Sequence, residues 1–312
     1  MGDPTRNLVI VHSEGWQSLD DLKEIAAIIG TRAPDIEVFL VSNAATASVT
    51  RRRAAERPTL VVSPIRLDRF RPLRGKILAG RAMSKLEEMR ILQAAGLPVP
   101  AFQEARPDTR LDPAVDGRYI LQKPSYAFAS WGQGIEVFRT EDWRYRAPQD
   151  WPEGHPGRQG PMILQRFIDC GYPMSCRVLT LLGRPILTYC RRSTREMRLD
   201  AISGRGFEQA DFMPAMPDSE ASVNRDPDIL ALAAAAYAAM PDIPLQACDI
   251  MRDREGKLHL LEINPGGGTW MFSNRFADGY RQRLGVSDLK AIFDAPQVCA
   301  SALIDRTRAE AC

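Results

Sequence analysis

The sequence predicts a mixed fold: a small α/β domain over residues 1–80, then two α+β subdomains over residues 81–155 and 156–312. Three observations lead there. A length of 312 residues exceeds one small core and suits two or three packed units. Near the N-terminus, short β-branched runs alternate with a segment of helical period, the pattern of a βαβ unit. Beyond residue 80, strand-like runs joined by tight turns are interrupted by isolated helices, as in an α+β arrangement.

Leu8–His12, Val38–Ser42 and Thr59–Ser63 are short apolar runs bounded by polar residues and read as buried parallel strands. Between the first two, Leu19, Leu22, Ile25, Ala26 and Ile29 recur at helical spacing, with Gly30 as a stop. Ala44–Glu56 reads as a second helix, and Pro58, Pro64 and Pro72 punctuate the exit from this domain. Ser84–Gly96 reads as a capped helix, because Glu87 follows Ser84 at capping-box spacing and Gly96 closes the last apolar turn. Val99–Phe102, Tyr119–Lys123 and Ile135–Arg139 read as strands, the last two flanking a loop of small and aromatic residues, Pro124–Gly134. Residues 140–161 carry four prolines and no period, so the second boundary is drawn there.

Met162–Ile168, Ser175–Leu182 and Pro185–Cys190 are β-like, with Gly183-Arg184 read as the turn of a hairpin. Ile229–Met240 is an Ala-rich helix. Leu245–Arg252 and Lys257–Ile263 form a second hairpin through Asp253–Gly256, and Val286–Phe293 and Pro296–Thr307 read as helices.

Composition excludes several classes. A hydrophobic fraction of 45% and a charged fraction of 26% are those of a globular chain, and a net charge of +2 gives no reason to expect nucleic acid as a partner. Arg51, Arg52 and Arg53 read as a solvated helix face. The six cysteines are irregularly spaced and only three His are present, so no zinc site is expected and the thiols are read as reduced, with Cys248 a core residue. No membrane span is visible, and the expected location is cytoplasmic.

The most informative spacing joins Asp249 to Glu262 and Asn264 across the second hairpin. Side chains alternate along a strand, so Glu262 and Asn264 share a face, and an antiparallel neighbour brings Asp249 onto it. Two carboxylates and an amide carbonyl suit Mg²⁺, which fills its remaining positions with water and nucleotide phosphates. The alternative is a pair of charged hairpin residues facing solvent.

The run from Ala247 through Asp249-Ile250 to Leu260-Leu261-Glu262-Ile263-Asn264-Pro265 resembles the C-terminal signature of ATP-grasp enzymes. Three further motifs follow the order of that family. Ser84-Lys85-Leu86 through Ala95-Gly96-Leu97-Pro98 is similar to its lysine-bearing helix and turn. Tyr119–Ser125 resembles its phosphate-binding strand, and Ile163–Ile168 its adenine hinge. The resemblance covers about residues 82–275 and implies ATP-grasp architecture, in which two α+β subdomains sandwich ATP behind a small N-terminal domain.

It further implies ATP and two Mg²⁺ ions, with Mn²⁺ as a substitute, as cofactors, and Asp249, Glu262 and Asn264 as metal ligands. Lys85, Lys123, Ser125, Gly132 and Gly134 fall at phosphate-binding positions, and Gln165, Arg166, Phe167 and Ile168 at the adenine hinge. Many relatives have Glu where Arg166 stands, which leaves Asp169 as the nearest ribose contact. Arg177 and one of Arg191 or Arg192 would meet the γ-phosphate and an acyl phosphate, a task suited to the guanidinium fork. Arg198 and Arg205 are candidates for an acidic substrate, and Gly266, Gly267 and Gly268 for close approach of backbone to a substrate carboxylate. Trp270, Met271 and Phe272 either line an acceptor pocket or cap a core. The implied reaction joins a small-molecule carboxylate to an amine, with amino acids or a peptide as partners, in the RimK-like or glutathione synthetase-like branch, and a homo-oligomer is compatible with the family. The alternatives are a kinase acting on a hydroxyl and a nucleotide-binding module without turnover.

Overall fold

The computed structural model describes residues 3–45, 49–126, 134–197, 199, 219–266 and 270–312. Its N-terminal unit is a parallel sheet of β1 (Arg6–His12), β2 (Ile36–Ser42), β3 (Thr59–Ser63) and β4 (Lys76–Ala79), in the order β2-β1-β3-β4. Both faces are covered, which is why these strands read as continuous apolar runs. Leu8, Ile10, Leu60 and Val62 pack against helix α1 (Leu19–Arg32), while Val9, Val11 and Val61 meet Ala54 and Phe70.

Helix α1 passes through Gly30 and ends at Ala33, whose N–H bonds the Ile29 carbonyl. Burial of Ile29 outweighs the cost of about 1 kcal/mol for an interior glycine. Of the second helix expected over Ala44–Glu56, Val49–Arg53 is helical (α2), while Ala44, Ala45 and Ala54–Glu56 lie outside the helix. β4 escapes the sequence reading because it is four residues long and half exposed.

The central unit contains helix α3 (Lys85–Ala94) and a short helix α4 (Pro113–Asp116). Its antiparallel sheet consists of β5 (Phe102–Glu104), β6 (Tyr119–Pro124), β7 (Glu136–Arg139) and β8 (Met162–Arg166), in the order β5-β8-β6-β7. Ser84 caps α3 by accepting from the Glu87 N–H. Because β8 pairs with both β5 and β6, this sheet continues to Arg166, beyond the boundary drawn at residue 156.

The third sheet runs β11-β10-β9-β12-β13, all antiparallel: β9 (Met174–Leu181), β10 (Arg184–Ser193), β11 (Ser219–Val223), β12 (Leu245–Arg252) and β13 (Leu258–Pro265). The β9–β10 turn is Leu182-Gly183 rather than Gly183-Arg184, with both residues at positive φ, 50° and 80°. That geometry matches the strand twist, and Tyr237 leaves no room for a side chain at Gly183. Helix α5 (Pro227–Ala239) packs on the face bearing Val178, Cys248 and Ile250.

Helix α6 (Ala277–Leu284) ends at left-handed Gly285. The expected helix over Val286–Phe293 is instead a series of turns, in which Asp288 accepts the Lys290 N–H and competes with helical bonding. The final helix α7 (Ala295–Glu310) packs on α1, β1, β3 and β10, so the C-terminus closes the N-terminal sheet. Backbone bonds in both directions join Cys312 to Thr59. Cys176 and Cys190 lie directly opposite on β9 and β10 and are joined as a disulfide, which corrects the reading of six reduced thiols; adjacency across a ladder is invisible in their spacing. Among the described residues no helix is long and apolar enough to cross a membrane.

Candidate active site

Three neighbouring strands assemble the chemistry by register. Asp249 on β12 stands opposite Arg177 on β9 and opposite Glu262 on β13, while Asn264 stands opposite Ala247. Alternation puts all four side chains on the face turned away from α5. The Asp249 carboxylate accepts two bonds from Arg177, Nε at 2.7 Å and Nη2 at 2.6 Å. Asn264 Nδ2 donates to Asp249 Oδ2 at 3.0 Å and to Glu262 Oε1 at 3.3 Å. A register shift after Asp249 skips Leu261, so Leu260 returns to the opposite, apolar face.

Two lysines reach Glu262 from the central unit. Lys85 Nζ, at the start of α3, is 3.3 Å from Glu262 Oε2, and Lys123 Nζ, near the end of β6, is 3.4 Å from the same oxygen. Burial is the largest influence on Glu262 and works to raise its pKa. Lys85, Lys123 and Arg177, with the Asn264 amide, outweigh it and hold the carboxyl well below its ordinary range. For Lys85 burial works in the other direction, and Glu262 and Glu88 more than offset it.

Glu88, one turn along α3, accepts the Ile263 N–H at 2.7 Å and lies 3.6 Å from Lys85. Burial pushes its pKa up. The Lys-x-x-Glu spacing in Lys85–Glu88 is the signal that could have marked it. A second group missed from sequence is Tyr189, opposite Arg177 on β10 and 5.2 Å from Tyr280 between ring centroids.

Ser125 anchors the junction of β6 and α3, its carbonyl accepting from Lys85 N and its N–H bonding Pro161 O. Its hydroxyl is buried and has no protein partner among the described residues. Gly134 has φ 72°, and a Cβ there would press on Pro124, His155 and Pro156.

Arg191 and Arg192 separate cleanly. Arg191 stands opposite Ser175, two residues along from the Tyr189–Arg177 pair, and shares the face of Arg177. Arg192 stands opposite Met174 on the other face and lies over the Tyr172 ring at 4.5 Å, which removes it from the site.

The hinge segment follows β8. Gln165 is buried and points to β13, donating to Leu261 O at 3.4 Å. The Arg166 side chain lies against Gly117, and its N–H bonds Ala101 O, while the Phe167 N–H bonds Tyr119 O. Ile168 is buried; Phe167 joins an apolar cluster with Leu121, Ile135 and Met197. Asp169 accepts the Gly171 N–H and pairs with Arg254 at 3.0 Å, so it stands as a turn residue with an exposed partner.

Two comparisons find nothing: no protein-family model matches the chain, and no curated protein is significantly similar in sequence. Solved structures match along almost the whole length. D-cycloserine synthetase DcsG superposes with a TM-score of 0.52 at 15% identity, covering 96% of this chain and 99% of that one. The ligase PsnB, solved with a phosphomimetic variant of a minimal precursor, Mg and ADP, gives 0.51 at 14% identity, with 98% and 100% covered. The macrocyclase MdnC bound to precursor peptide MdnA, from Microcystis aeruginosa MRC, gives 0.51 at 11% identity, with 96% and 99% covered. PsnB is described as an ATP-grasp ligase.

The chain has the ATP-grasp fold. The candidate site joins two of its sheets: the β5–β8 sheet contributes Lys123, whose Nζ reaches Glu262, and the β9–β13 sheet contributes Arg177, Asp249, Glu262 and Asn264. Of the glycines after Asn264, Gly266 is described: at φ 73° it meets the Pro64 carbonyl so closely that a Cβ would stand 2.0 Å from that oxygen. This packs the segment against the N-terminal domain. Gly132, Arg198, Arg205, Gly267 and Gly268 lie outside the described residues. Trp270, Met271 and Phe272 are buried in the core, and Trp270 Nε1 donates to Asp21 on α1, so this segment caps a core in the ATP-grasp fold.

Proposed function

We propose that the protein is an ATP-dependent ligase that activates a substrate carboxylate as an acyl phosphate and couples it to an amine, forming an amide or peptide bond. ADP and phosphate are the other products. The observation that carries this reading is the cluster in which Lys85, Lys123 and Arg177 converge on Asp249, Glu262 and Asn264.

The donor chemistry fits the nucleotide and the metal. Three cations in one cleft, beside the buried, unpartnered Ser125 hydroxyl, suit a polyphosphate. Among the described residues no group of three or more His, Cys, Asp or Glu forms a closed metal cage. Two carboxylates and an amide suit Mg²⁺, which keeps water and phosphate ligands. When bound, Mg²⁺ would neutralise charge on the phosphates and hold them in line for transfer. Asn264 would turn its amide oxygen toward the metal.

Lys85 and Lys123 hold phosphate oxygens in this account, and Arg177, released from Asp249, turns its fork to the transferred phosphoryl group. Arg191 supplies a second guanidinium on the same face. The apolar cluster around Phe167 and Met197 walls the adenine site beside the hinge of Arg166 to Ile168. No nucleophilic side chain is required, because the substrate carboxylate attacks the γ-phosphate and the amine displaces phosphate from the acyl carbon. The likeness in fold to PsnB and MdnC, both solved bound to a precursor, supports a peptide among the substrates.

The test is incubation with Mg-ATP and pooled amino acids and short peptides. ADP and phosphate formation that needs both a carboxylate and an amine, with a dehydrated adduct by mass, supports the reading. AMP formation overturns the acyl-phosphate route, and a phosphorylated hydroxyl product makes the enzyme a kinase.

A further inference from the structure

Residues 51–76 hold eight arginines and one lysine against two acids, Glu56 and Asp68, in a chain whose net charge is +2. The fold brings the parts of this segment on either side of β3 over one face of the N-terminal sheet. Ala54, just after α2, and Phe70 in the β3–β4 connection pack onto Val9, Val11, Phe39 and Val61. Their approach makes a small depression lined by half-buried Arg51 and exposed Arg74 together with Phe70, Pro72 and Leu73.

Six of these arginines are exposed: Arg52, Arg53, Arg66, Arg69, Arg71 and Arg74. Arg53 and Arg57 share Glu37 as partner, and Lys76 pairs with Glu310. Arg52, Arg66, Arg69, Arg71 and Arg74 make no ion pair among the described residues. An ordinary solvated face mixes signs, whereas this one crowds guanidinium groups around apolar side chains. Val49 is 75% exposed and Leu73 57%.

We propose that this face docks an acidic polypeptide, a segment rich in Asp and Glu whose apolar side chains settle beside Leu73. Guanidinium forks pair bidentately with carboxylates, and the rim charges steer the encounter. Nucleic acid fits less well. The aromatic residues here, Phe39 and Phe70, are buried and give bases nothing to stack on, and α2 offers only five described helical residues to a groove. The docking is separate from the ligase reading, because it is measured without nucleotide and away from the cleft.

The experiment is fluorescence anisotropy of a labelled peptide of Glu and Leu residues with the full chain, against a Lys and Leu peptide and a labelled oligouridine. The Glu-containing peptide is expected to bind, to weaken with salt, and to lose about tenfold in affinity in the R69E/R71E/R74E variant, with thermal unfolding unchanged. The neutral pair R52Q/R74Q gives a milder loss and serves if the triple reversal fails to fold. Absence of peptide binding, binding indifferent to both variants, or tighter binding of oligouridine overturns the proposal.

Discussion

Replacing Glu262 by Gln tests how the cleft is held together. The substitution keeps the shape and removes the charge that neutralises Lys85 and Lys123, whose side chains are only 15% and 9% exposed. Breaking a buried ion pair from one side costs about 3–5 kcal/mol. Here Lys85 keeps Glu88 at 3.6 Å and Glu262 is itself 25% exposed, so the expected loss is about 2–3 kcal/mol. At roughly 2–4 °C per kcal/mol for a sizeable domain, Tm falls by about 4–12 °C. ATP with a chelator present should narrow the gap, because phosphate oxygens replace the missing carboxylate on both lysines. Catalytic turnover is lost. The assay is thermal unfolding of both proteins with and without nucleotide. A variant within about 1 °C of wild type, or a gap that nucleotide leaves untouched, refutes the assignment of both lysines and Glu262 to one site.

Arg191→Ala should lower turnover by about a hundredfold, as loss of a charge-stabilising donor does, while Arg192→Ala leaves it close to wild type; steady-state kinetics of the two variants checks the face assignment. Glu88, pushed up by burial, holds its proton more tightly in the folded than in the unfolded chain, so its ionisation lowers stability from its ordinary value of 4.5 upward to the folded pKa. Glu88→Gln removes that dependence, so urea denaturation across this window should show the variant gaining on wild type as pH rises. Gly266→Ala should destabilise by about 2 kcal/mol or more, since it adds left-handed strain to a clash with the Pro64 backbone; an unchanged denaturation midpoint would mean the loop shifts freely.

Local signals with a short physical range were legible in the sequence. Ser84 and Glu87 announced α3, the β-branched runs announced the parallel strands, and the alternation in Glu262-Ile263-Asn264 announced a shared face opposite Asp249. What escaped depends on partners distant in the chain. Arg191 and Arg192 are adjacent in sequence and opposite in space, and only the register with β9 separates them. Trp270 reads equally well as a pocket wall until Asp21 is found at its indole nitrogen. Asp169 had a free carboxylate on paper, and Arg254 takes it in the fold. The pairing of Cys176 with Cys190 and the extension of the central sheet to β8 are likewise matters of ladder geometry.

The proposed reaction turns on conversion of a substrate carboxylate to an acyl phosphate. Once a substrate pair supports turnover, the decisive measurement uses that carboxylate labelled with ¹⁸O and follows the label by mass spectrometry of the released phosphate. One carboxylate oxygen is expected in inorganic phosphate for each amide formed. Unlabelled phosphate, or label recovered in AMP, would contradict it.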